Sequence, residues 1–330
     1  MWRVGRTRGD LPLTRAGVPG FASDRRPTET GTPARTEHEG RQGLATYVRA
    51  ALVVISCVSV VFVPDLAAAN KALRKALLFH ASFDRTPDAD FALGDRRIHT
   101  AGSYKKMEDA RPGLEHPDVS LAGGAGRYGG ALKFARKNTK AVYYLAENNI
   151  AYQRSGWNGT VSFWLSLDPA TDLDSFSDPL QVTDEDYNDA AIWVDFTMGA
   201  SKQFRLGVFG DLSVWNPENL SPLKNPAFLG RLVVARDAPF SRSKWTHVVI
   251  AHAGLGGTGG GAKLYVDGVL QGATPGIPEP FTLDVKRATI RLGVNYAGLL
   301  DDLAVFSREL SADEVKALYR LKDGVRSLGR

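Results

Sequence analysis

Asp184-Glu185-Asp186, followed by Tyr187-Asn188-Asp189, is the densest acidic run in the sequence. Carboxylates at that density suit two kinds of chemistry. Glycoside hydrolysis needs a pair of them flanking the scissile bond, one protonated. A hard cation needs several oxygens at about 2.3–2.6 Å. The run lies in a loop-like stretch, so it reads as a solvated loop first, a cation site next and a catalytic pair last. His247 and His252 stand five apart in a strand-like segment. That spacing puts them on opposite faces and spoils a shared metal site. Gly254-Leu255-Gly256-Gly257-Thr258-Gly259 and Gly124-Ala125-Gly126-Arg127-Tyr128-Gly129 both satisfy G-x-G-x-x-G. Neither opens a helix, so neither offers a helix N-terminus to a pyrophosphate, and both read as turns. No Ser-His-Asp order stands out from chance.

The aromatic residues divide by context. Phe163, Trp164 and Trp245 sit in segments whose neighbours alternate, which marks them as packing. Trp157, Tyr187, Trp215 and Tyr296 lie in loop-like stretches, where an exposed ring could stack on a sugar face. Packing within the loop is the plainer alternative for each. Asn158-Gly159-Thr160 is a glycosylation sequon, meaningful in a host that glycosylates.

The elements that would position these residues are mostly strands. Leu77–Phe83, Ala131–Phe134, Ala141–Leu145, Thr160–Leu167, Ala191–Thr197, Phe204–Phe209, Arg231–Ala235, Thr289–Gly293 and Leu299–Phe306 are apolar or alternating, with turn residues between them. Trp245–Ala251 pairs with Lys263–Val266 across the glycine-rich tip from Gly254 to Gly261. Asp267-Gly268 between Val266 and Val269 is a hairpin signal, because a type I′ turn needs positive φ at both centres. One helix is well specified: Ser311 and Glu314 form a capping box, Val315, Leu318 and Tyr319 make an apolar stripe, and Gly324 ends it. The class is all-β, a sandwich or jelly roll with one short C-terminal helix.

The front end has a different composition. Residues 1–45 are rich in Arg, Gly, Pro and Thr without apolar periodicity, and read as disordered chain or as sequence upstream of the true start. Residues 46–69 have the parts of a secretory signal: Arg49, the apolar run Ala50 to Val63, then Pro64 and Ala67-Ala68-Ala69. The run is short for a transmembrane helix, which needs about 20 apolar residues. Cleavage after Ala69 is expected; an uncleaved anchor is the alternative, and either exports the domain at 70–330. That domain would be secreted, periplasmic or at the cell surface, with no membrane span unless the signal stays. The only cysteine, Cys57, lies in the apolar run, so the mature domain would have no thiol catalysis, Cys-ligated zinc or disulfide. Residues 1–69 hold nine Arg and no Lys against six acids; the remainder holds 32 basic against 30 acidic residues. Such a nearly neutral domain gives no charge argument for nucleic acid.

The C-terminal third carries a resemblance. Trp245-Thr246-His247-Val248, then Leu264-Tyr265-Val266-Asp267-Gly268, then Asp301-Asp302-Leu303-Ala304-Val305-Phe306-Ser307-Arg308-Glu309-Leu310-Ser311 resemble, in order and spacing, the laminin-G-like jelly rolls of the concanavalin A-like lectin/glucanase superfamily. Phe83-Asp84 and Thr160–Trp164 match its opening and middle strands, so the resemblance spans Leu77 to Leu321; Asp168 to Pro239 fits less well. It implies two facing antiparallel sheets with the first and last strands adjacent, and a binding role toward glycans or extracellular protein surfaces. It also implies calcium. With those strands adjacent, Asp84 can approach Asp301 or Asp302, and Asp301, in parity with Leu303 and Val305, would point to the core side, where a bare carboxylate is costly. The alternative is that Asp301 caps a turn through backbone N–H groups. The Glu-x-Asp-x-x-Glu strand of the glucanase branch is missing from the sequence. The reading is therefore a non-catalytic recognition or adhesion module for glycan. A protein-interaction module without sugar affinity and a polysaccharide-active hydrolase are the alternatives.

Overall fold

The computed structural model describes residues 66–137, 140–236 and 239–329. The extension at 1–45 and most of the expected signal, 46–65, lie outside the described residues. The chain from residue 66 begins with helix α1 (Leu66–Ala76), which passes through the expected cleavage position after Ala69.

Seventeen strands follow: β1 (Leu77–Ala81), β2 (Phe91–Ala92), β3 (His99–Ala101), β4 (Arg111–Pro112), β5 (Val119–Gly126), β6 (Gly129–Phe134), β7 (Ala141–Leu145), β8 (Trp157–Ser166), β9 (Ser177–Thr183), β10 (Ala191–Phe196), β11 (Phe204–Phe209), β12 (Val233–Val234), β13 (Thr246–Leu255), β14 (Gly261–Val266), β15 (Val269–Ala273), β16 (Thr289–Val294) and β17 (Gly298–Phe306). They form two antiparallel sheets. One runs β15-β14-β13-β8-β17-β1-β2, with the β5–β6 hairpin joined to β17 through β6; the other runs β12-β11-β10-β9-β16-β7-β3-β4. The first and last long strands are neighbours, as the resemblance implies: Phe79 pairs with Val305.

Alternation explains the sandwich. Phe163 and Leu165 on β8, Val248 and Ile250 on β13, Ile192 and Val194 on β10, and Ile290 and Leu292 on β16 point inward to one buried core. Each such side chain contributes about 1.5–3 kcal/mol by leaving water. The odd-numbered residues Val249 and Ala251 of β13 face outward instead, and would be wet without a cover. Helix α5 (Ala312–Tyr319) supplies it through Val315 and Leu318, and α1 through Leu73. Ser311 and Glu314 close the expected capping box on α5. The helix ends at Tyr319, before the expected stop at Gly324.

Five elements depart from expectation. Strand β8 begins at Trp157, running through Asn158-Gly159, because Gly159 leaves room for the His252 ring on the paired strand. Strand β9 was hidden by Asp178-Pro179, a turn-like pair; the register with β10 shifts there, between Val194 and Phe196, and such an irregularity tolerates a proline without an N–H. Between β11 and β12, short helices α3 (Leu212–Trp215) and α4 (Pro226–Leu229) fold over the outer face of the eight-stranded sheet. Another short helix, α2 (Pro169–Asp172), follows β8.

Candidate functional site

The outward positions of the eight-stranded sheet line up across its strands. Gly207 on β11 pairs with Trp193 on β10, Trp193 with Gln181 on β9, Gln181 with Arg291 on β16, Arg291 with Tyr143 on β7, and Tyr143 with His99 on β3. With neighbouring strands about 4.8 Å apart, this row makes a continuous floor. Two cavities stand over it. One, of about 510 Å³, is bounded by Phe176, Tyr187 and Phe228 around Gln181 and Arg291; the other, of about 850 Å³, lies over Tyr143 and His99. Tyr104, Lys105, Glu185 and Asp186 border both, so the two adjoin over one floor, with Tyr104 seated between them as a partition across the groove.

The floor is polar and its charges are set by burial. Arg205 donates to Asp195 through Nε at 2.9 Å and again through Nη2. Asp195 is still held above the usual carboxylate range by burial, with Arg205 opposing. Beside it, burial and then the Asp195 charge push the Asp178 carboxyl up to about 8. Asp178 also accepts a hydrogen bond from Gln181 Nε2. Arg291 donates to the Glu185 carbonyl at 3.0 Å and more loosely to Thr289 Oγ1 at 3.3 Å and Gln181 Oε1 at 3.5 Å, with its guanidinium 4.8 Å from the Tyr104 ring centre.

The wall at one end is aromatic. Trp193 lies flat across its neighbouring strand, where a Cβ on Gly207 would come within 2.2 Å of the indole; only glycine permits that approach. Its N–H donates to the Tyr187 carbonyl at 2.6 Å, and its ring stacks on Phe209 and Phe228. The α3–α4 insertion thus closes one side of the groove and leaves its floor residues largely buried beneath the cavity.

Comparison with known proteins places this architecture. Residues 143–316 match the laminin G model of the concanavalin A-like lectin/glucanases superfamily. The chain belongs to that superfamily. The matched segment carries the row from Tyr143 to Gly207; the strands before it complete both sheets. Among curated proteins, none matches the sequence. Among solved structures, this concanavalin A-like chain is similar to domain 4 of AbnA, a GH43 extracellular arabinanase from Geobacillus stearothermophilus, in complex with arabinotriose: identity is 18%, coverage 74% of this chain and 98% of that one, TM-score 0.49. It is similar to the ligand binding domain of botulinum neurotoxin serotype D, in complex with N-acetylneuraminic acid, at 14% identity, 76% and 52% coverage and TM-score 0.46. Trypanosoma rangeli sialidase follows at 15% identity, 76% and 33% coverage and TM-score 0.46. The chain therefore spans about half of the toxin domain and a third of the sialidase.

The four aromatic residues expected to offer a ring to sugar fare differently in this superfamily member. Trp157, 2% exposed, is a core residue of β8 packed edge-on against Phe281 and Tyr152. Tyr296, fully buried, packs on Phe134 and donates its hydroxyl to the Leu299 carbonyl. Trp215, 7% exposed, is held under α3 by its N–H on the Asn188 carbonyl. Tyr187 alone of the four faces the groove. Trp157 and Trp215 were misplaced because a strand and a short helix run through stretches that look like loops, whereas Tyr296 does lie in the β16–β17 loop but turns its ring into the core. The floor residues were missed for the converse reason. Asp195, Arg205 and Arg291 alternate with core residues and read as a wet sheet face, and nothing local reveals that an insertion buries them.

The superfamily implies calcium, and the three carboxylates named for it do converge on one region, the β5–β6 turn and the C-terminal segment. Their oxygens are occupied by N–H donors. Asp84 accepts from Gly130 N at 2.8 Å and Arg326 Nη1 at 2.7 Å. Asp301 accepts from Tyr128 N at 3.1 Å and Asp302 N at 2.7 Å. Asp302 bonds His80 Nε2 at 2.8 Å and accepts from Val325 N at 3.0 Å. This is the turn-capping alternative, and the arrangement does not fit a calcium cage. Among the described residues no group of three or more His, Cys, Asp or Glu is disposed to hold a metal. Nor does Asp301 point to the core side with Leu303 and Val305, as its parity leads one to expect: the register with β8 shifts between Asp301 and Ala304, so Asp301 pairs with outward-facing Trp164. Burial, then the neighbouring Asp302, pushes its carboxyl up to about 7. The acidic loop is largely a solvated rim: Asp184 accepts from Asp284 N and Asp186 from Tyr187 N, while Glu185 is exposed.

Proposed function

We propose that the protein is an exported recognition module whose groove on the eight-stranded sheet binds glycan without cleaving it. The observation that carries this reading is the cross-strand row from Trp193 to His99, a floor under two adjoining cavities with aromatic walls. Ligand sites combine apolar walls with a few fixed polar groups. Sugars, with hydroxyls on their edges and C–H groups on their faces, match both. Export rests on the signal-like segment 46–69.

The non-catalytic part rests on the carboxylates. A glycosidase needs an acid and a second free carboxylate across the bond. Asp178 has the proton-holding character of an acid, and this is the one feature favouring a hydrolase. Its neighbour Asp195 is tied to Arg205 by two hydrogen bonds and is not free to act as base or nucleophile, which leaves a hydrolase only the exposed rim carboxylates of the same cavity, Glu185 and Asp186. A protein-interaction module is favoured by Val214, Leu220 and Leu229, exposed apolar residues on and beside the α3–α4 insertion.

A glycan array run with and without calcium, together with reducing-sugar release from a polysaccharide panel, separates the three. Glycan hits without product support this reading. Product that disappears on Asp178→Asn would replace it with the hydrolase, and blank results on both would leave the interaction module.

A further inference from the structure

The groove floor holds two guanidinium groups with opposite circumstances. Arg205 has a forked carboxylate partner. Arg291 is as buried, at 4% exposed, yet among the described residues it forms no ion pair. Its partners are a carbonyl, a hydroxyl and an amide oxygen, two of them at 3.3 Å or more. A buried charge without a counter-charge is costly to folding, so such a group calls for an explanation.

We infer that Arg291 is the anchor for an anionic substituent of the ligand, and that the groove selects acidic glycans carrying carboxylate or sulfate groups. This deepens the glycan-binding reading and rests on it. The position suits the role. Arg291 stands mid-row, between Gln181 and Tyr143, and borders the cavity beside Gln181. Its guanidinium is held over Tyr104, which fixes the plane in which it presents N–H groups, as forked recognition of an anion requires. The nearby acids Asp184, Asp186 and Asp178 attract Arg291 only through space, and none of them comes within ion-pair distance of it. Asp195 is committed to Arg205, and Asp184 and Asp186 are turned onto backbone N–H donors. Burial and then the Asp195 charge push the Asp178 carboxyl up to about 8, which weakens it as a counter-charge at neutral pH. Lys105, exposed where the cavities meet, adds a second positive group on the ligand's path.

The test compares binding of polygalacturonate, sialyllactose and dextran sulfate with binding of neutral dextran and arabinan, for the wild-type chain, Arg291→Gln and Gln181→Glu. Gln181→Glu puts a carboxylate where the amide oxygen now faces Arg291, satisfying the cation from within. The wild type should prefer at least one acidic probe, and both variants should lose about ten- to hundredfold of that affinity, the worth of a charged hydrogen bond. Both should also melt no lower than wild type, since Arg291→Gln removes the uncompensated buried charge and Gln181→Glu supplies its counter-charge. The polygalacturonate, sialyllactose and dextran sulfate arms distinguish carboxylate from sulfate. Equal binding of neutral and acidic probes, or an acidic preference that survives in a folded variant, would overturn the inference while leaving glycan binding intact. Binding of no probe and of no arrayed glycan would overturn the glycan reading itself.

Discussion

Arg205 forks onto Asp195 across two neighbouring strands, Nε to Oδ1 at 2.9 Å with Nη2 on the other oxygen, and both side chains are nearly inaccessible to water. The pair decides the character of the groove floor, because it removes one cation and one carboxylate from any dealings with a ligand.

Breaking that pair on one side should be expensive. Asp195→Ala leaves a buried guanidinium unpaired and should cost about 3–5 kcal/mol. Replacing both partners with apolar residues of similar size should restore most of it. Urea unfolding of the single and double variants checks this, and a single variant as stable as wild type would contradict the pairing.

Gly207→Ala should disturb the aromatic wall. The new methyl group would meet the Trp193 ring at 2.2 Å with a strand on either side, so the ring must move. A loss of about 1–3 kcal/mol is expected from overpacking, with a change in tryptophan emission. An unchanged spectrum and melting temperature would show that the ring does not lie there.

How much of this was legible in the sequence depends on the range of the signal. Ser311 and Glu314, three residues apart, announced their helix, and Asp267-Gly268 announced its turn; both centres of that turn have positive φ, 49° and 77°. Ordered strings at β13, β14 and β17 led to the sandwich and to the adjacent end strands. The groove was not legible, because its floor is assembled from six strands, of which β3, β7 and β16 lie far in sequence from β9, β10 and β11. Arg291 looks like any outward strand residue until the α3–α4 insertion and the Tyr104 loop are folded beside it. Even so, the region from Asp168 to Pro239, the part least like the family, supplies Asp178, Gln181, Tyr187, Trp193 and Arg205.

The buried histidines should pull stability down in mild acid, against the opposite pull of Asp178 and Asp301, whose raised carboxyls favour the folded state as pH falls. Burial pushes His247 down to about 3 and His252 down to about 4. Both are neutral when folded, whereas the unfolded chain takes up protons below about 6.5. Each therefore contributes stability that is present above pH 6.5 and is lost as pH falls toward 4, at about 1.4 kcal/mol per pH unit. His252→Phe should flatten this dependence between pH 6.5 and 4 in denaturant titrations. A slope identical to wild type would refute the assignment.

Metal removal should leave the fold alone. The oxygens of Asp84, Asp301 and Asp302 are occupied by N–H donors, so melting in EDTA and in calcium should coincide. A calcium-dependent rise that Asp84→Ala abolishes would show that these carboxylates rearrange around a cation, since a ligand of the native state alone raises its stability.

The most direct test of the account is a glycan array probed with wild-type protein and with a Gln181→Ala, Tyr187→Ala double variant of matched folding. The account predicts wild-type hits that vanish in the double variant, because both side chains border the first cavity. Hits of undiminished strength in the double variant would place glycan binding elsewhere, and a blank wild-type array would contradict glycan binding altogether.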